Sequence, residues 1–264
     1  AAALDDINEM EAANLPDNIN VTFLLDRSDE YTTSEGDWSG TKRGVISHDD
    51  DAYTISSSME DIGEQNTGDG QTLTEFIDYS TKIAAADNYA LVVWNHGGGI
   101  SGVAWDDSST TSNGYADNLT LNELTTAVEN SGVDNFEMIG FDACLQGVVD
   151  QSYAVKDIAD YVVASEDLEP GDGWDYTGWL NKIANHDDSS DDNNGIVEAI
   201  DISKYVVESY GEFYEGWEGT TQSAIKTDLL DGVMDAFTDF NNSLSLMTAG
   251  EKTQFKTALK NVEK

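Results

Sequence analysis

Two short apolar runs, each followed by a reactive residue, constrain the fold of this chain most strongly. Residues 89–94 precede His96, and residues 136–141 precede Cys144. Short apolar runs bounded by turn residues are typical of buried strands in a parallel sheet. Residues 119–128, between the two runs, have the apolar spacing of an amphipathic helix. The pattern therefore predicts a strand–helix–strand unit.

The carboxyl ends of neighbouring parallel strands meet at one edge of a sheet, where open α/β folds bind their ligands. His96 and Cys144 follow the predicted strands closely, so we expect them to meet there. Cys144 is the only cysteine, which excludes an intrachain disulfide and a cysteine-rich metal site. A lone cysteine is usually a small buried hydrophobe. His96, however, lies about 50 residues upstream of Cys144, a spacing that is typical of caspase-type Cys–His dyads. The glycines after His96 let a substrate backbone approach closely, so a catalytic dyad is favoured.

Three motifs in this order resemble the clostripain family of cysteine peptidases, in the caspase-like superfamily (clan CD). They are His-Gly-Gly-Gly at 96–99, Ile-Gly-Phe-Asp-Ala-Cys-Leu at 139–145, and the acidic, glycine-containing segment 163–176. The resemblance implies an α/β fold, a three-layer α/β/α sandwich with a mostly parallel sheet of the caspase or hemoglobinase type. We expect residues 1–226 to form the peptidase domain and residues 227–264 a helical extension packed on it.

The predicted chemistry is attack of the Cys144 thiolate on a peptide carbonyl. His96 would act as the general base or, as in related peptidases, as the acid that protonates the leaving amine. The backbone N–H groups of Gly97 and Cys144 would stabilise the oxyanion. We also expect a helix over residues 145–156, whose amino end would favour the thiolate.

Acidic residues near the predicted nucleophile suggest the specificity. Asp142 and Asp172 match, by resemblance, the acids that line the first subsite of relatives specific for basic residues. A buried carboxylate pair would bind Arg bidentately and Lys as a point charge. Glu169 and Trp174 would line the same subsite. Two structural roles stay open: Asp142 as a helix cap and Asp172 as a turn residue.

We therefore predict a cysteine endopeptidase that cleaves peptides and proteins after Arg or Lys. A caspase-like peptidase with another specificity and a non-catalytic acidic binding protein of the same fold remain alternatives. Two features depart from the family. The strand that usually precedes the first helix is absent, and no Lys or Arg lies between Lys82 and Lys156. Self-cleavage at a basic site in that interval is excluded, which leaves Lys42 and Arg43 as a candidate site unless the enzyme needs no activation.

The charge balance is extreme, with 52 acidic and 12 basic residues and a net charge of −40. Nucleic-acid binding requires clustered Lys and Arg, so we expect no nucleic-acid partner. The aromatic residues and apolar runs argue against disorder. The composition favours a folded protein with a hydrated acidic surface, as in salt-adapted organisms. We expect no membrane span, a monomer, and a secreted or cell-surface location in a high-salt environment.

Three further segments carry predictions. Residues 44–48 and 52–56 are predicted to form a β-hairpin, and residues 101–119 a long polar loop. Residues 186–195 resemble a calcium loop in part, but Ser190 falls at the first ligand position and Asp201 replaces the final Glu. A solvated acidic loop that caps the next helix is favoured. We therefore assign no metal site, although clostripain-like enzymes can be calcium-dependent.

Overall fold

The computed structural model describes residues 2–29, 31–186 and 197–262. The chain divides into two compact units, Ala1–Thr227 and Asp228–Lys264. The first unit begins with helix α1 (Ala2–Ala12), followed by an antiparallel sheet. The strands of that sheet are β1 (Thr22–Arg27), β2 (Gly40–Val45) and β3 (Met59–Gly63), in this spatial order.

The hairpin predicted at residues 44–48 and 52–56 is wrong, because the paired strands are β2 and β3 on either side of that segment. The backbone N–H groups of Ser56 and Ser57 donate to the carboxylate of Glu11 in α1, at 2.6–3.2 Å. Ser47 donates its N–H to the Ser57 hydroxyl. The segment is thus anchored to a helix instead of forming a strand pair of its own.

The central sheet contains β4 (Ala90–Trp94), β7 (Phe136–Asp142), β8 (Ala159–Ala164) and β9 (Ser223–Lys226), in this order. The first three strands are parallel, and β9 is antiparallel to β8. Between β4 and β7 lie an antiparallel pair, β5 (Val103–Thr110) and β6 (Ala116–Leu119). This pair replaces the long loop predicted for residues 101–119, because the apolar ends Val103 and Leu119 are both buried and opposite each other.

Helices cover both faces of the central sheet. On one face, α2 (Gly70–Ile83) and α3 (Leu121–Asn130) share a core with Ile139 and Phe141 of β7. On the other face, α5 (Tyr176–Ala184) and α6 (Ala199–Phe213) pack around Met138 of the same strand. A short helix, α4 (Val149–Ala154), links β7 to β8. The predicted α/β class with a mostly parallel sheet between helical layers is therefore confirmed.

The starts of α2 and α3 follow from their caps. The side chain of Asp69 accepts from the Gln71 N–H and begins α2. Thr120 and Glu123 form a reciprocal capping box that begins α3. Such caps satisfy the backbone donors that the first turn of a helix leaves free.

Strands β1 and β4 belong to different sheets and do not pair with each other. A cavity of about 860 Å³ lies between them. Its walls include residues 20–25 on one side and residues 88–92 on the other. The cavity separates the antiparallel sheet from the edge of the central sheet.

The second unit contains two helices, α7 (Leu230–Leu246) and α8 (Ala249–Lys260). A capping box of Thr248 and Glu251 begins α8. The rings of Phe240 and Phe255 pack edge-to-face with centroids 6.1 Å apart. Across the described ranges of both units, no helix has the length and apolar character needed to cross a membrane.

Candidate active site

The parallel register of β4 and β7 brings the two predicted catalytic loops to one edge. Trp94 lies opposite Asp142 in this ladder. His96 and Cys144 each follow these partners by two residues in sequence. The His96 side chain is exposed and Cys144 is partly exposed, so solvent reaches both loops.

The two loops touch at Gly97. A Cβ atom at this position would lie 2.2 Å from the Cys144 carbonyl oxygen and 2.7 Å from the Gln146 amide nitrogen. Only glycine permits such an approach of backbone to backbone. The position of the loop that carries His96 is therefore fixed directly against the loop that carries Cys144.

Gln146 ties the same loops together and was not identified from the sequence. Its side chain is fully buried, and Nε2 donates to the carbonyl oxygens of Cys144 at 3.2 Å and Gly102 at 3.3 Å. The only signal for this role was a long polar side chain two residues after the cysteine, within a segment predicted to be helical.

The backbone before His96 has an unusual conformation. Asn95 has a φ of 113°, a region that few residues other than glycine adopt. Its amide Nδ2 donates to the Trp105 carbonyl at 3.0 Å, and the Ala104 N–H donates to the His96 carbonyl at 3.1 Å. The β5 strand thereby holds both sides of the turn that presents His96.

The predicted helix start at Cys144 is wrong. Leu145 has a left-handed φ of 61°, and its N–H donates to the Asp167 carbonyl at 3.0 Å. Helix α4 begins only at Val149 and has no side-chain cap. Asp142 therefore does not cap this helix, and the thiol gains no stabilisation from a helix amino end.

One backbone N–H group is directed at the sulfur instead. The Glu169 N–H lies 3.4 Å from Cys144 Sγ and is directed at it. Within the described chain, the N–H groups of Gly97 and Cys144 enter no hydrogen bond. The His96 ring likewise makes no hydrogen bond to a described residue. An N–H donor stabilises negative charge on sulfur, and the two free N–H groups can bind an oxyanion.

Asp142 and Trp174 lie together beneath the nucleophile. The Asp142 carboxylate is buried, and its Oδ2 accepts from the Trp174 N–H at 3.2 Å and from the Tyr176 hydroxyl at 2.9 Å. A Cβ at Gly173 would lie 2.9 Å from both carboxylate oxygens. The Trp174 ring packs over Gly140, where a Cβ would lie 2.6 Å from it.

Glu169 joins this pair, whereas Asp172 does not. The Glu169 Oε1 accepts from Trp174 Nε1 at 3.4 Å and Gln222 Nε2 at 3.1 Å, and its Oε2 is buried without a hydrogen-bond partner among the described residues. Asp172 is exposed in the turn closed by the Gly173 N–H and the Pro170 carbonyl. The side chain of Asp172 makes no hydrogen bond within the described ranges.

Burial alters the protonation of this carboxyl cluster. Desolvation raises the pKa of Asp142 to about 6, although its N–H and O–H donors oppose the increase. Desolvation and the charge of Asp142 raise the pKa of Glu169 to about 8. Both shifts favour one proton held by the two carboxyl groups together at neutral pH.

Two further acids, Asp6 and Glu9 of α1, lie near this cluster and were not anticipated. Glu9 Oε2 accepts from the Tyr176 N–H at 2.9 Å. Burial, followed by the charge of Asp142, raises the pKa of Asp6 to about 8. The three-residue spacing puts Asp6 and Glu9 on one helix face, but the sequence does not indicate which face is buried.

One group of carboxylates could hold a cation. Oxygens of Asp26, Glu64 and Asp106 lie within 4.8 Å of one another. Asp106 already accepts hydrogen bonds from the backbone N–H groups of Thr67 at 2.9 Å and Ser108 at 2.8 Å, which explains its burial without a metal.

Most of the segment that resembles a calcium loop lies outside the described residues, which omit 187–196.

The candidate cleavage site at Lys42 and Arg43 lies inside the middle strand of the antiparallel sheet. Both residues are paired with β1 and β3, and Arg43 forms a 2.8 Å salt bridge with Glu60. A protease substrate must adopt an accessible extended form, so cleavage here would require the sheet to open.

Comparison with known proteins identifies the family of this chain. The model of the clostripain family matches residues 2–263. This chain belongs to the clostripain family. Clostripain from Hathewaya histolytica is 32% identical over 208 residues, which cover 68% of this chain and 39% of clostripain. The match thus spans about two fifths of the length of that relative.

Solved structures support the fold. An inactive zymogen C11 protease from Parabacteroides distasonis has a TM-score of 0.63 at 23% identity, over 87% of this chain and 57% of that one. A secreted C11 cysteine protease from Bacteroides thetaiotaomicron, solved with an irreversible peptide inhibitor, has the same TM-score and identity, over 89% and 64%. At 23% identity, these two structures show that this chain shares their fold.

Proposed function

We propose that this clostripain-family protein is a cysteine endopeptidase that cleaves after Arg or Lys, with Cys144 as nucleophile and His96 as its proton-transfer partner. The observation that carries the proposal is the contact of the two strand-end loops, in which a Cβ at Gly97 would lie 2.2 Å from the Cys144 carbonyl oxygen. A contact this close between the two loops supports the assignment of both reactive side chains to one site.

The proposed reaction begins with attack of the Cys144 thiolate on the scissile carbonyl carbon. The new oxyanion accepts from the free N–H groups of Gly97 and Cys144. His96 then donates a proton to the leaving amine, which departs and leaves an acyl-enzyme. Water hydrolyses the thioester, and the proton returned to His96 restores the dyad. The Glu169 N–H near Sγ supports the thiolate between these steps.

We assign the first subsite to Asp142, Glu169 and Trp174, with Asp172 at its rim. The buried carboxylates give the subsite a negative charge, which complements Arg or Lys. Trp174 supplies an apolar wall for the aliphatic part of the side chain. Asp172 is exposed, so its contribution to binding would be screened by solvent and weaker than that of Asp142.

A panel of peptidyl amidomethylcoumarins with Arg, Lys, Asp, Leu or Gln at the cleaved bond tests the proposal. It is assayed in high salt, with and without calcium, using wild type and Cys144→Ala. We expect hydrolysis after Arg and Lys that the substitution abolishes. Cleavage only after other residues would instead support a caspase-like peptidase of different specificity.

The panel also tests the binding-protein alternative. If wild type hydrolyses nothing while its melting temperature shows a folded protein, the dyad is inactive and an acidic binding protein of this fold is favoured. Activity that survives Cys144→Ala would refute the assignment of the nucleophile. A matched control is Ser152→Ala, because Ser152 is a buried hydroxyl in α4 outside the proposed dyad.

A further inference from the structure

Asp142 and Glu169, the carboxyl pair of the first subsite, form no hydrogen bond or ion pair with a positively charged side chain in the part of the chain that the structure describes. Asp142 lies on β7 and Glu169 on the loop after β8, and both carboxylates contact Trp174, through its N–H at 3.2 Å and its ring Nε1 at 3.4 Å. Glu169 Oε2 is buried and has no hydrogen-bond partner among the described residues, and the two carboxyl groups interact directly. Their remaining donors are neutral: the N–H and ring of Trp174, the Tyr176 hydroxyl and the Gln222 amide. Two buried anions without a cation repel each other, so one proton held between them stabilises the pair.

The groups around the pair strengthen this preference for a proton. On α1, Asp6 and Glu9 interact unfavourably with the charge of Asp142. The loop that carries Glu169 also carries the exposed acids Glu166, Asp167 and Asp172. From neighbouring elements, Glu169 meets the Cys144 thiol and the hydroxyls of three tyrosines. These tyrosines are Tyr176, Tyr210 and Tyr214. The neighbours of the pair are therefore acids and neutral donors, and the nearby negative charges favour a retained proton.

We infer that Glu169 is a specificity-determining residue that shares a proton with Asp142 before substrate binds and exchanges that proton for the cationic side chain of the substrate. The inference rests on the proposed specificity for Arg and Lys. The exchange is balanced: one cation enters, one proton leaves to solvent, and the net charge of the subsite stays the same. A neutral substrate side chain cannot displace the proton.

The exchange predicts how binding depends on pH. The pKa of Glu169 is raised to about 8, so at pH 7 most molecules must release a proton to bind a cation. KM for Arg and Lys substrates should therefore fall as pH rises from 6 to 8, by about tenfold or more. The value of kcat should change less, because bound substrate already holds Glu169 in its ionised form.

Calorimetry measures the exchanged proton without turnover. Agmatine, which carries the guanidinium of arginine, is titrated at pH 7 into Cys144→Ala in two buffers with different ionisation enthalpies. The difference in heat gives the number of protons released, and we expect a value close to one. In the double variant Cys144→Ala, Glu169→Gln, the number of protons released should be near zero. Glu166 is an exposed acid in the same loop. The double variant Cys144→Ala, Glu166→Gln should therefore release as many protons as Cys144→Ala.

The outcomes separate this inference from the proposed function. If agmatine binds and Arg substrates are cleaved, but no proton is released, then the shared proton is refuted and the specificity stands. If agmatine does not bind and basic substrates are not cleaved, the proposed specificity fails and the inference fails with it. Because proton release is measured without altering Glu169, the test does not depend on the folding of Glu169→Gln.

Discussion

At the scale of single residues, the closest approach in the proposed site is between Gly97 and the Cys144 carbonyl. Gly97→Ala should lower kcat/KM by about 100-fold, because an added Cβ must push the two loops apart and misplace the reacting groups. Steady-state kinetics with an Arg substrate measures the loss. Circular dichroism should show an unchanged fold.

The control for this prediction is Gly211→Ala in α6, where a Cβ would meet no atom within 4 Å. This change should preserve activity and leave stability equal or higher, since alanine favours helix over glycine by about 0.5–1 kcal/mol. An active Gly97→Ala enzyme would contradict the close contact of the two loops.

The same scale shows what the sequence could reveal about the site. His96 and Cys144 were predictable because each follows an apolar run and belongs to a recognisable motif. The resemblance also assigned Glu169 to the subsite of Asp142, but the contacts of both carboxylates with Trp174 could not be predicted, because they depend on how the loop after β8 folds back onto β7. Periodicity contains no information about such a contact between loops.

At the scale of elements, the strands could be predicted and the loops between them could not. The strands β4, β7 and β8 are continuous apolar runs, so composition alone indicates buried parallel strands. The helix predicted directly after Cys144 failed because Leu145 adopts a left-handed conformation, which satisfies its N–H with the Asp167 carbonyl. That bond is made to a distant segment and outweighs local helix propensity.

The Gln146 amide hydrogen-bonds to the loops that follow β4 and β7. Gln146→Leu keeps a similar volume but leaves two buried carbonyls without their donor. We expect a loss of about 1–3 kcal/mol in the free energy of unfolding and about tenfold in kcat/KM, because His96 is then positioned less firmly. Urea denaturation and kinetics measure the two effects.

Gln71→Leu is the matched control, because Gln71 is exposed on α2 and bonds only to Glu75 in the same helix. It should change neither quantity appreciably. If Gln146→Leu retained full activity, the loops would be held in place without the amide, and its proposed positioning role would be refuted.

At the scale of the whole molecule, the net charge of −40 dominates. Acidic groups spread over one folded chain repel one another, and dissolved salt screens that repulsion. The melting temperature should therefore rise as NaCl increases from 0.1 M to molar concentrations. Differential scanning calorimetry measures the effect. A melting temperature that does not respond to salt would count against salt adaptation.

Buried acids with raised pKa values make the folded protein less stable as pH rises. The folded-state pKa values of Asp6 and Glu9, about 8 and 7, exceed those of the unfolded chain, about 4. The folded protein therefore binds more protons than the unfolded chain between pH 4 and 8, and stability is lost as pH rises through that interval. Thermal denaturation between pH 5 and 8.5 should show a falling melting temperature.

Asp6→Asn tests the contribution of one buried acid, because the amide cannot ionise. The decrease in melting temperature between pH 5 and 8.5 should be smaller than in wild type by roughly 5 °C, which corresponds to about 2 kcal/mol. Asp5→Asn changes the exposed neighbour and should keep the wild-type decrease. Equal pH dependence in all three proteins would refute the assignment of Asp6.

Labelling by an active-site reagent tests the central claim, that Cys144 and His96 act together as one catalytic site. The folded protein is incubated with a peptidyl-arginine acyloxymethyl ketone, and intact-mass spectrometry follows the adduct with time. We expect one adduct on Cys144 in wild type, none in Cys144→Ala, and labelling slowed by at least about 100-fold in His96→Ala. Labelling at the same rate with and without His96, or a Cys144 that the reagent does not reach in the folded protein, would contradict the claim.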